Sequence, residues 1–188
     1  MTVDSAEFRK ALGQFATGVT VVTCETGEGA HGATVNAFTA VSLDPPLVLV
    51  SLDRRSKASR HLPGRPFAVT VLRGDAIPAA LHFAGRPQPG VVIDWAEHPV
   101  APRIGGGAAW FACAPWACHD GGDHVLCLGL VQEFWYDSEA DPLVFHRGDF
   151  RAVAAPQVET PWLDSLDSPT RDIGWWPAAP PVSLPAAG

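Results

Sequence analysis

From Val19 onward the apolar pattern runs at period two, in short β-branched segments cut apart by Gly, Pro and Asp. Val19-Thr20-Val21-Val22-Thr23 leads to a turn at Gly27-Glu28-Gly29, and a second strand reads from about Ala33 to Ser42. Beyond the Asp44-Pro45-Pro46 corner a third runs from Leu47 to Leu52, with apolar residues on both faces, so it is expected to be buried on both sides. Phe67 to Leu72 adds a fourth, and further strands are expected near 108–118, 124–135 and 142–146. Helical periodicity is scarce. Phe8, Ala11, Leu12 and Phe15 mark a helix over 5–15, opened by an Asp4/Glu7 capping box, and short helices fit 57–62 and 76–84. These are too few to cover a parallel sheet, so a mainly β, closed antiparallel barrel is expected.

Length and composition narrow the class. A chain of 188 residues suits one domain with its own core. No apolar run approaches the roughly 20 residues of a membrane helix, and Asp4 and Glu7 stand where a secretory leader would be basic, so a cytoplasmic protein away from membranes is expected. A formal charge of −7 speaks against nucleic-acid binding, which needs a positive field. Cys24, Cys113, Cys118 and Cys127 lie in strand-like surroundings without a Cys-x-x-Cys spacing and read as buried free thiols. Residues 1–154 form the expected domain. The 155–188 tail holds seven of the eighteen prolines together with Trp162, Trp175 and Trp176, and reads either as a loose end or as an arm on a partner subunit.

Three segments could carry chemistry. Five of the thirteen cations lie between residues 54 and 65. Ser56 there can cap a short helix whose free N–H groups join Arg55 and Lys57 around a phosphate; a solvated helix face accounts for the same charges. In Gly32 to Ser42, alternation would put Thr34, Asn36, Phe38 and Ser42 on one face, either to hydrogen-bond a planar heterocycle or simply to face solvent. Gly121-Gly122-Asp123-His124 reads as a tight turn bringing His124 to the mouth of a barrel. A plain surface turn is the other reading. Cys113, Cys118, His119 and Asp120 precede it without a familiar metal-ligand spacing, and no metal is expected.

Taken in order, five motifs resemble the short-chain flavin reductases that serve two-component monooxygenases. They are Phe8-Arg9-x-x-Leu12-Gly13-x-Phe15-Ala16-Thr17-Gly18 with the strand after it, Gly32-x-Thr34-x-Asn36-Ala37-Phe38-Thr39 through Pro45-Pro46-Leu47-Val48, Ser51-Leu52-Asp53-Arg54-Arg55-Ser56, Gly122-Asp123-His124, and Pro142-Leu143-x-Phe145-x-Arg147-Gly148. The likeness spans Phe8 to about Phe150. It implies an FMN-binding split barrel, antiparallel and of Greek-key type, that forms a homodimer and binds FMN or FAD, with NADH or NADPH as co-substrate. Carried over residue by residue, Thr34, Val35, Asn36 and Ala37 line the flavin with Ser51, Leu52 and Asp53. Ser56 and Lys57 meet its phosphate, and Phe83 and Ala84 approach it. His124 is the catalytic histidine facing the nicotinamide, with Arg147 and Gly148 beside that second substrate. The chain departs from the family pattern between Gly85 and Ile104, where Arg86-Pro87-Gln88-Pro89-Gly90-Val91-Val92-Ile93-Asp94-Trp95 stands.

The activity so implied is NAD(P)H:flavin oxidoreduction, with reduced flavin passed to a separate flavin-dependent monooxygenase. Aligning two planar rings is the main task of such a site. Two alternatives stand beside it: a flavoenzyme acting directly on an organic substrate, and a flavin-binding electron relay without a nicotinamide site.

Overall fold

The Val/Thr alternation that begins at Val19 becomes the spine of the molecule. The computed structural model describes residues 3–154. Its elements run α1 (Ser5–Leu12), β1 (Thr17–Gly18), β2 (Thr20–Thr26), β3 (Gly29–Val35), β4 (Phe38–Leu43), β5 (Pro46–Asp53), α2 (Lys57–His61), β6 (Phe67–Val71), α3 (Ile77–Phe83), β7 (Trp95–Ala96), β8 (Arg103–Ile104), β9 (Ala109–Gly121), β10 (His124–Tyr136), β11 (Val144–His146) and β12 (Asp149–Arg151). Seven strands make one sheet in the order β3-β2-β6-β9-β10-β5-β4, every neighbouring pair antiparallel. The two edge strands are consecutive in the chain and are joined by Asn36 and Ala37. Ser51 of β5 donates its backbone N–H to the Ala37 carbonyl (3.0 Å), tying that junction to β5. The expected antiparallel barrel with few helices is the fold observed. The proposed tail from 155 onward lies outside the described residues.

Two apolar clusters share β2. Val22 and Cys24 point inward with Val48, Val50, Leu52, Phe67, Val69, Cys113 and Cys127, and Ala58 and Leu62 of α2 join them. Val19 and Val21 point outward into a second cluster with Leu72, Ala80 of α3, Ile104 and Leu143. Each fully buried Val or Leu of this kind contributes about 1.5–3 kcal/mol. It is therefore β2, not the strand from Leu47 to Leu52, that is covered on both faces. On β5, Val48, Val50 and Leu52 are buried while Leu49, Ser51 and Asp53 alternate with them and stay half-buried. Apolar residues on both faces of β5 suggested otherwise, but α3, the helix that covers β2, packs against β2 and β3 rather than β5.

Local differences from the sequence reading have local causes. The strand expected from Ala33 to Ser42 is two strands, because the chain turns from β3 to β4 at Asn36 and Ala37. Helix α1 stops at Leu12, with Gly13 as its C-cap. Only half of the capping box forms: Asp4 Oδ1 accepts from the Ala6 and Glu7 N–H groups (both 2.9 Å), while Glu7 turns to Lys10 Nζ (2.7 Å). Three of the four cysteines are buried, but Cys118 is exposed where the β9–β10 hairpin leaves the core. The departing 85–104 segment folds back as the small β7–β8 ladder, with Trp95 edge-on to Phe83 (5.8 Å).

Candidate active site

The outer face of β5 runs through the site. Leu49, Ser51 and Asp53 lie on it at two-residue spacing, so it spans about 13 Å from Leu49 to Asp53. At the Leu49 end lies a cleft of about 660 Å³. Asn36, Ala37, Phe38 and Thr39 form one wall, Phe15 and Thr17 come from the segment after α1, and Phe145 and Arg147 from the β11–β12 hairpin. Pairing of Thr17 with Phe145 across β1 and β11 holds the last two together. Its volume falls in the range of small-molecule sites, and three phenylalanine rings give it flat apolar walls. The Thr17 hydroxyl is buried and has no hydrogen-bond partner among the described residues, a polar atom left over beside the phenylalanine rings. Those features suit a planar heterocycle with polar edges.

Among the described residues, the cleft cations Arg9 and Arg147 meet no carboxylate. Arg147 sits at φ 53°, in the left-handed region, and its N–H donates to the Gly13 carbonyl (3.0 Å). Its guanidinium donates from Nε and a terminal nitrogen to the neutral Gln14 Oε1 (2.9 and 2.5 Å), which pins it across the end of α1. Gly148 follows at φ 87°, completing the turn between β11 and β12.

At the Asp53 end the charges are paired. His124 opens β10 directly opposite Asp53. The two-residue loop Gly122–Asp123 delivers it, with Gly122 at φ 76°, a conformation glycine adopts without strain and two-residue hairpins require. Arg54 braces that loop: its backbone N–H reaches the Asp123 carbonyl (3.0 Å), its Nε the Gly122 carbonyl (2.7 Å), and its terminal nitrogen Asp120. Asp53 accepts from the Arg55 N–H and guanidinium, and those bonds hold its carboxyl well below the usual carboxylate range. His124 Nδ1 lies 2.7 Å from Asp123 Oδ1. With a carboxylate as acceptor, Nδ1 is the donor of this pair, on a ring that is half-exposed.

The phosphate-binding expectation meets a partly satisfied loop. Ser56 does cap α2, its Oγ accepting from Ser59 N–H (3.1 Å), while Ser59 Oγ donates to the Ser56 and Arg54 carbonyls (2.9 and 3.1 Å). Lys57 Nζ is spent on Glu28 (2.6 Å), across on the β2–β3 turn. The other flavin-facing candidates divide by side chain. Thr34 donates its hydroxyl to the Ala80 carbonyl (2.7 Å), which docks α3 and with it Phe83 and Ala84 against β3. Val35 packs on the barrel core, and the Leu52 side chain is buried in it, leaving Leu52 only its backbone to present. Asn36, Ala37 and Arg147 meet in the cleft, whereas His124, Asp53, Ser56 and Lys57 gather about the far end of β5. Among the described residues no three of His, Cys, Asp or Glu converge as a metal site.

Sequence reasoning missed the contribution of the N-terminal segment. Arg9, Leu12 and Phe15 line the cleft. The signal was present as an apolar helical stripe, but that stripe is not core: Phe8, Leu12 and Phe15 are all exposed.

A family model described as flavin reductase like domain matches residues 12–154. An NADH-dependent flavin reductase from a Rhodococcus species is 42% identical over 164 residues, covering 85% of this chain and 93% of the relative. The reductase component of 4-hydroxyphenylacetate 3-monooxygenase from Thermus thermophilus is 37% identical over 150 residues, with 79% and 97% covered. Among solved structures, the flavin reductase PheA2 in its native state superposes with a TM-score of 0.76 at 37% identity, covering 81% of this chain and 99% of that one.

Proposed function

The chain belongs to the flavin reductase-like family, and from that premise we propose that it transfers a hydride from NADH to FMN or FAD and supplies reduced flavin to a partner monooxygenase. The observation that carries this reading is the open outer face of β5, which links the aromatic cleft at Leu49 to His124 beside Asp53. Relatives named as NADH-dependent flavin reductase and as a monooxygenase reductase component support both halves of it.

A flavin held along that face would supply the electron-accepting ring, and the chain's task is to hold two rings in register. Asn36 and Ser51 present polar groups along the face. The bond from Ser51 N–H to the Ala37 carbonyl keeps the cleft wall at a fixed distance from β5. Thr34 acts through α3, fixing the Phe83–Ala84 end of that helix. Ser56, and Lys57 once released from Glu28, would meet the phosphate. Asp123 orients His124 so that Nε2 faces the nicotinamide, and Arg147 with Gly148 borders the same substrate. The reading takes residues 1–154 as the catalytic domain and 155–188 as an arm on the partner subunit of a cytoplasmic homodimer. Exposed Leu43, Phe134 and Tyr136 offer apolar surface for a second copy, which sedimentation would detect.

Anaerobic mixing of the protein with flavin and NADH, followed at the flavin absorption band, is the direct test. Rapid bleaching is expected, and its absence refutes a reductase. His124→Ala should slow bleaching about ten- to a hundredfold, the loss of one hydrogen bond at the reacting ring, while flavin affinity stays within about twofold. An unchanged single-turnover rate removes His124 from the mechanism.

A further inference from the structure

The β9–β10 hairpin holds a pair of thiols that the proposed mechanism does not use. Cys118 and Cys127 stand directly opposite each other in the antiparallel register, and their sulfurs are 2.7 Å apart. Directly opposed antiparallel residues have Cα atoms about 4.5–5.5 Å apart, within the span a disulfide bridges without backbone movement. Burial sets the two apart: Cys127 is buried in the barrel, Cys118 exposed at its end. A cavity of about 130 Å³ lies against both, walled by Leu62, Phe67 and Trp116, with room for a molecule of water size. Desolvation, and then the Cys118 contact, push the Cys127 thiol well above its ordinary range, so Cys118 is the sulfur that can react first.

We propose that Cys118 and Cys127 form a peroxide-oxidised thiol pair that closes to a cross-strand disulfide beneath the His124 turn. Cys118, as thiolate, attacks one oxygen of hydrogen peroxide; the O–O bond breaks, an S–O bond forms, and the other oxygen leaves as hydroxide and takes up the proton the Cys118 thiol had released, giving water. Cys127 loses its proton and its sulfur attacks the Cys118 sulfur, expelling the sulfenic oxygen as a second water. Two thiols are oxidised by two electrons and one peroxide is reduced to two waters. The source of the oxidant rests on the flavin reductase reading: reduced flavin that meets dioxygen before its oxygenase gives it two electrons and two protons, forming hydrogen peroxide. The site would then sense reductant running ahead of its consumer.

The test uses the full chain. Reduced protein is treated with hydrogen peroxide, its remaining thiols are blocked under denaturing conditions, and it is cut before Asp120 and Asp123, which separates the two cysteines. Mass spectrometry should find the Cys118 and Cys127 peptides linked, with Cys24 and Cys113 blocked. Cys118→Ser should abolish the link, and Cys127→Ala should leave Cys118 as a sulfenic acid that a dimedone probe captures. Cys118 sulfenic acid or sulfinic acid in the wild type without a link to Cys127 would overturn the pairing. In a second arm the protein turns over NADH and flavin in air, with and without catalase. A link that catalase prevents supports the proposed source of oxidant, and turnover without a link overturns it. Failure to oxidise NADH would instead refute the reductase reading, while the link formed by added peroxide stands.

Discussion

One strand, β5, ends in two unlike environments. Around Leu49 phenylalanine and leucine dominate the walls, and among the described residues the buried Thr17 hydroxyl lacks a partner and neither Arg9 nor Arg147 meets a carboxylate. Around Asp53 almost everything polar is already answered: Asp53 by Arg55, Asp120 by Arg54, Asp123 by His124 and Glu28 by Lys57. The contrast separates two ways of holding a charged aromatic ligand. The cleft offers shape, apolar area and uncompensated positive charge. The loop end offers rigid backbone and must trade an internal ion pair for any phosphate it accepts. Exposed pairs are weak, so that trade is affordable, but it yields little net affinity.

The largest effect should come from filling the cleft. Ala37 is exposed and only its backbone is tied to β5, so Ala37→Trp should leave the barrel folded. It places an indole in the space a ring would occupy, and overpacking of about 3 kcal/mol corresponds to about a hundredfold loss in flavin affinity. Fluorescence titration measures it. An unchanged Kd would mean that the flavin does not use this cleft.

Next in size is the uncompensated charge. Arg147→Gln should raise the KM for NADH about tenfold and flatten its dependence on salt, because a cation without a carboxylate partner exerts its full field on an anionic dinucleotide. Gln14→Ala separates charge from placement. It removes the tether but keeps the guanidinium, so KM should move less and the salt dependence should persist. Equal effects from both would make Arg147 a brace for α1 alone.

How much of this was visible in the sequence follows the same division. The β-branched alternation of β2, the Gly27–Glu28 turn, the hairpin loop before His124 and the Ser56 cap depend on neighbours in the chain, and each stands where the pattern put it. The cleft depends on contacts between Thr17, Asn36 and Phe145, segments that meet only through β1–β11 pairing and the break between β3 and β4. Alternation through residues 33–42 concealed that break: Asn36 and Ala37 are poor strand formers, but they sit in phase with the polar and apolar residues on either side. The open face of β5 was hidden for a similar reason: Leu49 reads as core, and whether anything covers it depends on where α3 packs. Side-chain partners such as Glu28 for Lys57, 29 residues apart, leave no periodic trace at all.

That last pair allows a smaller test. Glu28→Gln releases Lys57 from its carboxylate, and if a flavin phosphate sits at α2 the affinity should rise about threefold, with no change for riboflavin, which has no phosphate. Tightening toward riboflavin as well would trace the effect to something other than phosphate.

The smallest expected effect is the acid response of the loop end. Asp53, Asp123 and Glu28 all have carboxyls held below their ordinary range, chiefly by hydrogen bonds from Arg55, His124 and Lys57 respectively. A carboxyl with a depressed folded-state pKa adds stability that is fully present above its unfolded value, about 3.9–4.3, and is lost as pH falls through the folded value. Between pH 5 and 8 these three groups should therefore contribute no slope to the melting temperature, and the decline should begin only below about pH 4. Because all three are at the surface, the decline should be shallow and should shrink in high salt. Asp53→Asn isolates the best-bonded member: it should lower the melting temperature slightly at pH 7 and by less at about pH 2, where the carboxyl is protonated in the unfolded chain and still ionised in the folded one. Equal destabilisation at both would assign Asp53 a role in packing rather than in charge, and the loop end would then resemble the cleft after all.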